Sequence, residues 1–284
     1  MRKDKPSATA RKVALNIVTL GAKPGMDKIL PPGIVESTAE LLLASGAVGA
    51  VGVRWSRSPR MVFVYEAFDW MMRGQFEAFA HRKAFCEGQV RAGIGAGATQ
   101  VIVLGAGYDT LGWRLAPEFK DVNFFEIDHP MTARLKAKGI EQMGKRNNLY
   151  LLKEDLSEQK LTDVLLPNKS WDSRAQTVII AEGLLMYLPP PAPSELFKQC
   201  AAVVGPESRI AFTYIGTSTD GRPDAGRWTG LVLWILKASG EPWLWSINPE
   251  ELNCFVRKSG WNDAPELLGS NNKYGVEFLG VATN

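Results

Sequence analysis

Residues 101–104 read Val-Ile-Val-Leu and pass directly into Gly105, Ala106 and Gly107. A short β-branched run without polar alternation is a strand buried on both faces, as in the middle of a parallel sheet. The Gly-x-Gly turn that ends it lets the backbone approach a ligand closely. About twenty residues further on, a second such run over 122–127 carries Glu126 and then Asp128 at its end, before Pro130 opens a helix. Glycines after one strand and an acid at the end of the next are the layout of a nucleoside-binding βαβ unit. The third glycine of a dinucleotide fingerprint is here Thr110, which argues against a nicotinamide or flavin dinucleotide.

Further apolar runs at 149–152, 177–181 and 209–214 alternate with helical stretches, which predicts an α/β fold with a mostly parallel sheet and helices on both faces. The first ninety-odd residues predict helices instead. One follows Pro31 and Pro32 and ends near Gly46. A second runs from about Arg60 to Arg73 behind the Ser58-Pro59 start signal. A third runs from Gln75 to about Gly93, with Phe79, Cys86, Val90 and Ile94 on one face toward the sheet. The alternation breaks over 216–246, a stretch rich in glycine and tryptophan that reads as an insertion with one helix lying over the site. A helix from Pro249 and two weak strands, near Leu267 and over 276–281, would complete an antiparallel end to the sheet. The expected plan is one domain: a helical cap over 1–98, a core over 99–214, a lid over 215–248, and a C-terminal helix and strands over 249–284.

The net charge of +3 is spread along the chain rather than gathered in a basic block, so a nucleic-acid partner is not expected. Cys86, Cys200 and Cys254 lack metal-ligand spacing and suit reduced thiols in the cytoplasm; no metal is expected. The apolar stretches 13–22 and 41–53 do not fit a signal peptide or a membrane span, so no membrane partner is expected either.

The segments 104–110, 125–130 (Phe-Glu-Ile-Asp-His-Pro), Glu154-Asp155-Leu156 and 181–188 (Ala-Glu-Gly-Leu-Leu-Met-Tyr-Leu) occur in one order. Together they resemble the leucine carboxyl methyltransferase family of S-adenosyl-L-methionine-dependent methyltransferases, bacterial and polyketide-pathway members included. The resemblance implies a Rossmann-like class I methyltransferase sheet with an antiparallel end strand. It assigns Gly105, Ala106 and Gly107 to the cofactor turn, Arg82 to the cofactor carboxylate, Asp128 to the ribose hydroxyls, Asp155 and Leu156 to the adenine, and Glu182 to the methionine and ribose part. Each has a plainer reading: Arg82 as a solvated helix arginine, Asp128 or His129 as a helix cap, Asp155 as the cap of a helix starting near Ser157. Glu126, deeper in its strand, is the lesser ribose candidate. The implied activity is methylation of a carboxyl or hydroxyl oxygen on a small molecule. The alternatives are a protein C-terminal carboxyl group as acceptor, or a non-catalytic binding or regulatory protein. A hydroxyl acceptor would use a base, for which His81, Tyr108, His129 or a carboxylate are the candidates. Trp243 and Trp245 are expected to face the acceptor.

Overall fold

The computed structural model describes residues 6–262 and 275–284; the expected strand near Leu267 lies outside them. Five parallel strands alternate with helices: β1 (Gln100–Leu104), β2 (Asn123–Asp128), β3 (Leu149–Lys153), β4 (Thr177–Ala181) and β5 (Arg209–Ile215). A sixth, β6 (Glu277–Thr283), pairs antiparallel with β5, so the order across the sheet is β3-β2-β1-β4-β5-β6. The chain leaves β1 toward β2 and β3, then returns to start β4 on the other side of β1. A crevice forms at the carboxyl ends of the strands at such a reversal.

Alternate residues face opposite sides of the sheet. Ile102, Leu104, Phe125, Ile179 and Phe212 pack on one side with α8 (Leu161–Leu165), α9 (Ala192–Val203) and α11 (Pro249–Lys258). On the other side Val101, Val103, Phe124, Val178 and Ala211 meet α5 (Gln75–Gly95) and α6 (Leu111–Leu115). Cys86, Val90 and Ile94 of α5 join this second layer as expected, whereas Phe79 packs instead under the N-terminal helices.

The cap consists of α1 (Ala8–Leu20), α2 (Ile34–Ala44), α3 (Ala50–Ser56) and α4 (Pro59–Ala67). The helix α4 is shorter than the sequence predicts. Past Ala67 the chain continues in i→i+3 turns, and the Asp69 carboxylate takes the Gly74 N–H, an alternative that draws backbone out of the helical ladder. Two apolar clusters bind the cap to α7 (Pro130–Met143) and α5. The stretch between β5 and α11 holds one helix, α10 (Thr229–Ser239), followed by nine residues without helix or strand. No described helix is long and apolar enough to cross a membrane.

Candidate functional site

A cavity of about 780 Å³ opens at the carboxyl ends of β1 to β4, under α1 and beside residues 241–244. Its floor is the turn after β1. Gly107 has φ +48°, and a Cβ there would stand 3.1 Å from the Ala10 Cβ of α1, so glycine lets the cap helix close over the turn. The close helix-to-strand approach that a third fingerprint glycine would provide occurs at Gly112 instead, where a Cβ would lie 2.7 Å from Glu126 Oε1. Thr110 is buried, and its hydroxyl bonds to Ser37 of α2 at 2.9 Å.

Asp128 ends β2 at the cavity wall and accepts a hydrogen bond from the Gly107 N–H. Capping of α7 falls to His129, whose Nδ1 accepts from Met131 N at 3.3 Å, with Pro130 in the first turn. The helix therefore does not require the Asp128 carboxylate. Burial raises the Asp128 pKa, opposed by the Gly107 N–H and the Lys136 ammonium. Glu126, one turn of alternation deeper, is outside the cavity lining and pairs with Lys136 Nζ at 2.6 Å. That ammonium also reaches the Ala106 carbonyl at 3.4 Å, anchoring the turn from below.

Glu154, Asp155 and Leu156 line the rim next to β3. Asp155 does not cap a helix at Ser157. Its Oδ1 accepts from Ser157 N at 2.9 Å and Ser157 Oγ at 2.7 Å within a turn, and α8 begins only at Leu161. A loop carboxylate satisfied by its own neighbours shapes a rim rather than starting a helix.

At the end of β4 lies a buried charge network. Arg82 Nε donates to Glu182 Oε1 at 2.7 Å and its Nη1 to Glu277 Oε1 at 2.6 Å; Lys83 Nζ contacts Asp109 at 2.7 Å and Glu182 at 2.9 Å. The reading of Arg82 as a solvated helix arginine is thereby corrected: it is buried, lines the cavity and is held by two carboxylates. Burial works against the charge on Arg82 and Lys83, but the facing carboxylates outweigh it and raise both pKa values. Burial likewise opposes ionisation of Asp109, and Lys83 with Lys136 and Arg114 overrides it, holding that carboxyl below the ordinary range. Lys83, Asp109 and Glu277 were not singled out in the sequence.

Glu241 closes the cavity from the lid side. Its carboxylate accepts from Ser7 Oγ at 2.9 Å, Ala8 N at 3.1 Å and Thr9 N at 2.7 Å, occupying the free N–H groups that start α1. Trp243 and Trp245, expected to face the acceptor, are absent from the cavity lining. Pro242 and Leu244 are present there, and Trp245 packs on Phe255 with ring centroids 5.4 Å apart. The backbone N–H groups of Leu244 and Trp245 both donate to Met186 O, which ties this segment to the stretch after β4. His81 is likewise outside the lining, one position before the cavity-facing Arg82; Tyr108 lines it, its hydroxyl pKa raised by burial.

Among the described residues that line the cavity there are eight carboxylates against three lysine or arginine side chains, in a chain whose net charge is +3. Such a site favours a cationic ligand. S-adenosyl-L-methionine fits: its sulfonium and ammonium meet the acidic excess, while Arg82 and Lys83 can offer donors to its one carboxylate. No described cluster could hold a metal ion.

The comparisons with known proteins point the same way. The family model for leucine carboxyl methyltransferase matches residues 31–201. A protein of Mycolicibacterium paratuberculosis (strain ATCC BAA-968 / K-10), named as an S-adenosyl-L-methionine-dependent methyltransferase, is 33% identical over 141 residues, which cover 49% of this chain and 43% of that one. A protein of the same description from Mycobacteroides abscessus is 28% identical over 214 residues, covering 74% of this chain and 67% of the relative. The match to the first of these spans less than half of its length. Among solved structures, a chain from Thermobifida fusca YX described as a methyltransferase aligns with a TM-score of 0.58 at 16% identity, covering 92% of this chain and 97% of that one. One from Nostoc punctiforme PCC 73102, described as an O-methyltransferase, gives 0.51 at 10% identity over 74% of this chain and 60% of that one. At these identities the likeness is one of fold.

Proposed function

The chain belongs to the leucine carboxyl methyltransferase family of S-adenosyl-L-methionine-dependent methyltransferases, and on that premise we propose that it methylates a carboxyl or hydroxyl oxygen of a small molecule. The observation that carries the reading is the acidic cavity built around the glycine turn, with Asp128 on one side and Glu182 on the other. A carboxylate at Asp128 offers two acceptors to the two neighbouring hydroxyls of a ribose. Asp155 and Leu156 supply an acceptor and an apolar cover for adenine at the rim. Glu182, Arg82 and Lys83 bracket the amino-acid end.

When bound, the cofactor supplies a methyl group already activated by the sulfonium charge. The chain's residues then have to align an acceptor oxygen and exclude water. The walls left for the acceptor are apolar, with Ile17, Leu184, Leu188 and Leu244 among them, which favours a small acceptor with an apolar body. A carboxylate acceptor needs no general base. For a hydroxyl acceptor the base candidates that line the cavity are Tyr108, His129 and the lining carboxylates, and His81 is not among them.

Incubating the protein with cofactor carrying a labelled methyl group and a small-molecule extract tests this reading. Label appearing in an organic-soluble product that loses it on mild alkaline hydrolysis identifies a carboxyl ester, and alkali-stable label identifies an ether. Tight binding of S-adenosylhomocysteine without any transfer would reverse the proposal in favour of a binding protein.

A further inference from the structure

The outer surface of the cap and lid is aromatic. Phe63 is 72% exposed and Trp234 66%, and Trp55, Phe68, Trp70 and Trp228 are exposed as well. The patch joins two parts of the chain: Trp70, after α4, meets Trp228, before α10, edge to face with centroids 5.1 Å apart. The helix α10 is apolar nearly all round, yet of its eleven residues only Val232 is buried. Exposed apolar side chains in this number mark a surface that meets a partner or a membrane.

The same segments carry a cationic fringe. Arg54, Arg57, Arg60, Arg73, Arg227 and Lys237 are exposed, and none forms an ion pair among the described residues. Helical spacing puts Arg60 on the stripe of Phe63 and Val64, and Arg54 on that of Val51 and Trp55. Nearby acids are already engaged: Glu66 with Lys23, Asp69 with the Gly74 N–H, Asp220 with Arg222, and Asp224 with the Gly226 N–H. Asp69 and Asp224 keep their charge and Lys23 is shared between Glu66 and Glu77, yet the six cations outnumber these acids, so the patch carries a net positive charge.

We propose that this face docks on an anionic lipid surface. Tryptophan and phenylalanine settle at the boundary between headgroups and acyl chains, and arginines beside them are drawn to anionic headgroups. A second copy of the chain fits less well, because a twofold contact would set the patch against itself, cationic fringe against cationic fringe. Such docking departs from the sequence expectation of no membrane partner, which rested on the lack of a signal peptide or a spanning segment, neither of which this surface needs. The inference is independent of the methyltransferase reading.

Co-sedimentation with vesicles of phosphatidylcholine containing a minority of phosphatidylserine, against phosphatidylcholine alone, tests it. Binding to the anionic vesicles is expected, with a blue shift of tryptophan emission and release by salt. Arg60→Gln should weaken binding about five-fold, and the double variant Phe63→Ser/Trp234→Ser should abolish it. All three sites are exposed, so an unchanged melting temperature serves as the check on folding. The inference is overturned if the wild-type chain stays in the supernatant with anionic vesicles, or if the folded double variant binds as the wild type does. A dimer by light scattering that the double variant breaks, without vesicle binding, would show that a second copy covers the face.

Discussion

Arg82 Nε donates to Glu182 Oε1 at 2.7 Å, joining the middle of α5 to the end of β4 across the cavity wall. Each cation of the network has a second carboxylate in reserve: Glu277 for Arg82 and Asp109 for Lys83. Glu182→Gln should therefore leave the fold standing while weakening S-adenosylhomocysteine about ten-fold or more by calorimetry, through loss of a charged hydrogen-bond acceptor. Arg82→Met leaves Glu277 without its buried cation, while Glu182 keeps Lys83, and should cost about 3–5 kcal/mol in urea unfolding.

Asp128→Asn separates ligand binding from stability. Burial raises the pKa of this carboxyl, so its contribution to folding declines as pH rises through the carboxylate range. The asparagine removes that cost and keeps an acceptor for the Gly107 N–H. The variant should melt at or above the wild-type temperature at neutral pH, yet bind S-adenosylhomocysteine roughly ten- to a hundred-fold more weakly. Normal binding with early melting would assign Asp128 a structural role alone.

Asp109 has the opposite sign. Its pKa is lowered in the fold, so the stability it supplies is complete above the ordinary aspartate pKa of about 4 and is lost as pH falls below it. Asp109→Asn should lower stability at neutral pH and flatten the acid limb of a melting-temperature profile. An acid limb as steep as in the wild type would mean that other carboxylates govern it.

Glu241→Ala frees three donors at the start of α1. Loss of an N-terminal cap of this kind costs about 0.5–2 kcal/mol, and the cost should be local. Hydrogen exchange should accelerate over α1 and leave β1 to β5 protected, and S-adenosylhomocysteine should dissociate faster. Uniform acceleration over all strands would mean that Glu241 supports the whole domain instead.

The parts of this arrangement legible in the sequence are those encoded by neighbours. The runs of β1 and β4 announce themselves because strands buried on both faces need no polar alternation. The Asp128-His129-Pro130 start of α7 is legible because a cap acts over two residues. Lys83 and Glu277 were not legible, since α5 carries its buried charges at the same spacing as solvated ones. Their partners come from strands and loops 26 to 195 positions away. Trp243 and Trp245 lie outside the cavity lining for another reason: aromatic content marks a stretch that packs, but carries no mark of which side of an extended segment enters a cavity.

The antiparallel placement of β6 gives the cavity a dependence on the order of synthesis. Glu277 lies 195 positions after the arginine it neutralises. On the ribosome, α5 and β4 are complete while β6 is still untranslated, so Arg82 has only Glu182 available and the β5 edge is unpaired. The second carboxylate on Arg82 arrives with β6, after the glycine turn and Asp128 have already been made. A nascent chain arrested before β6 would hold Arg82 by Glu182 alone and leave the outer edge of β5 without its antiparallel partner.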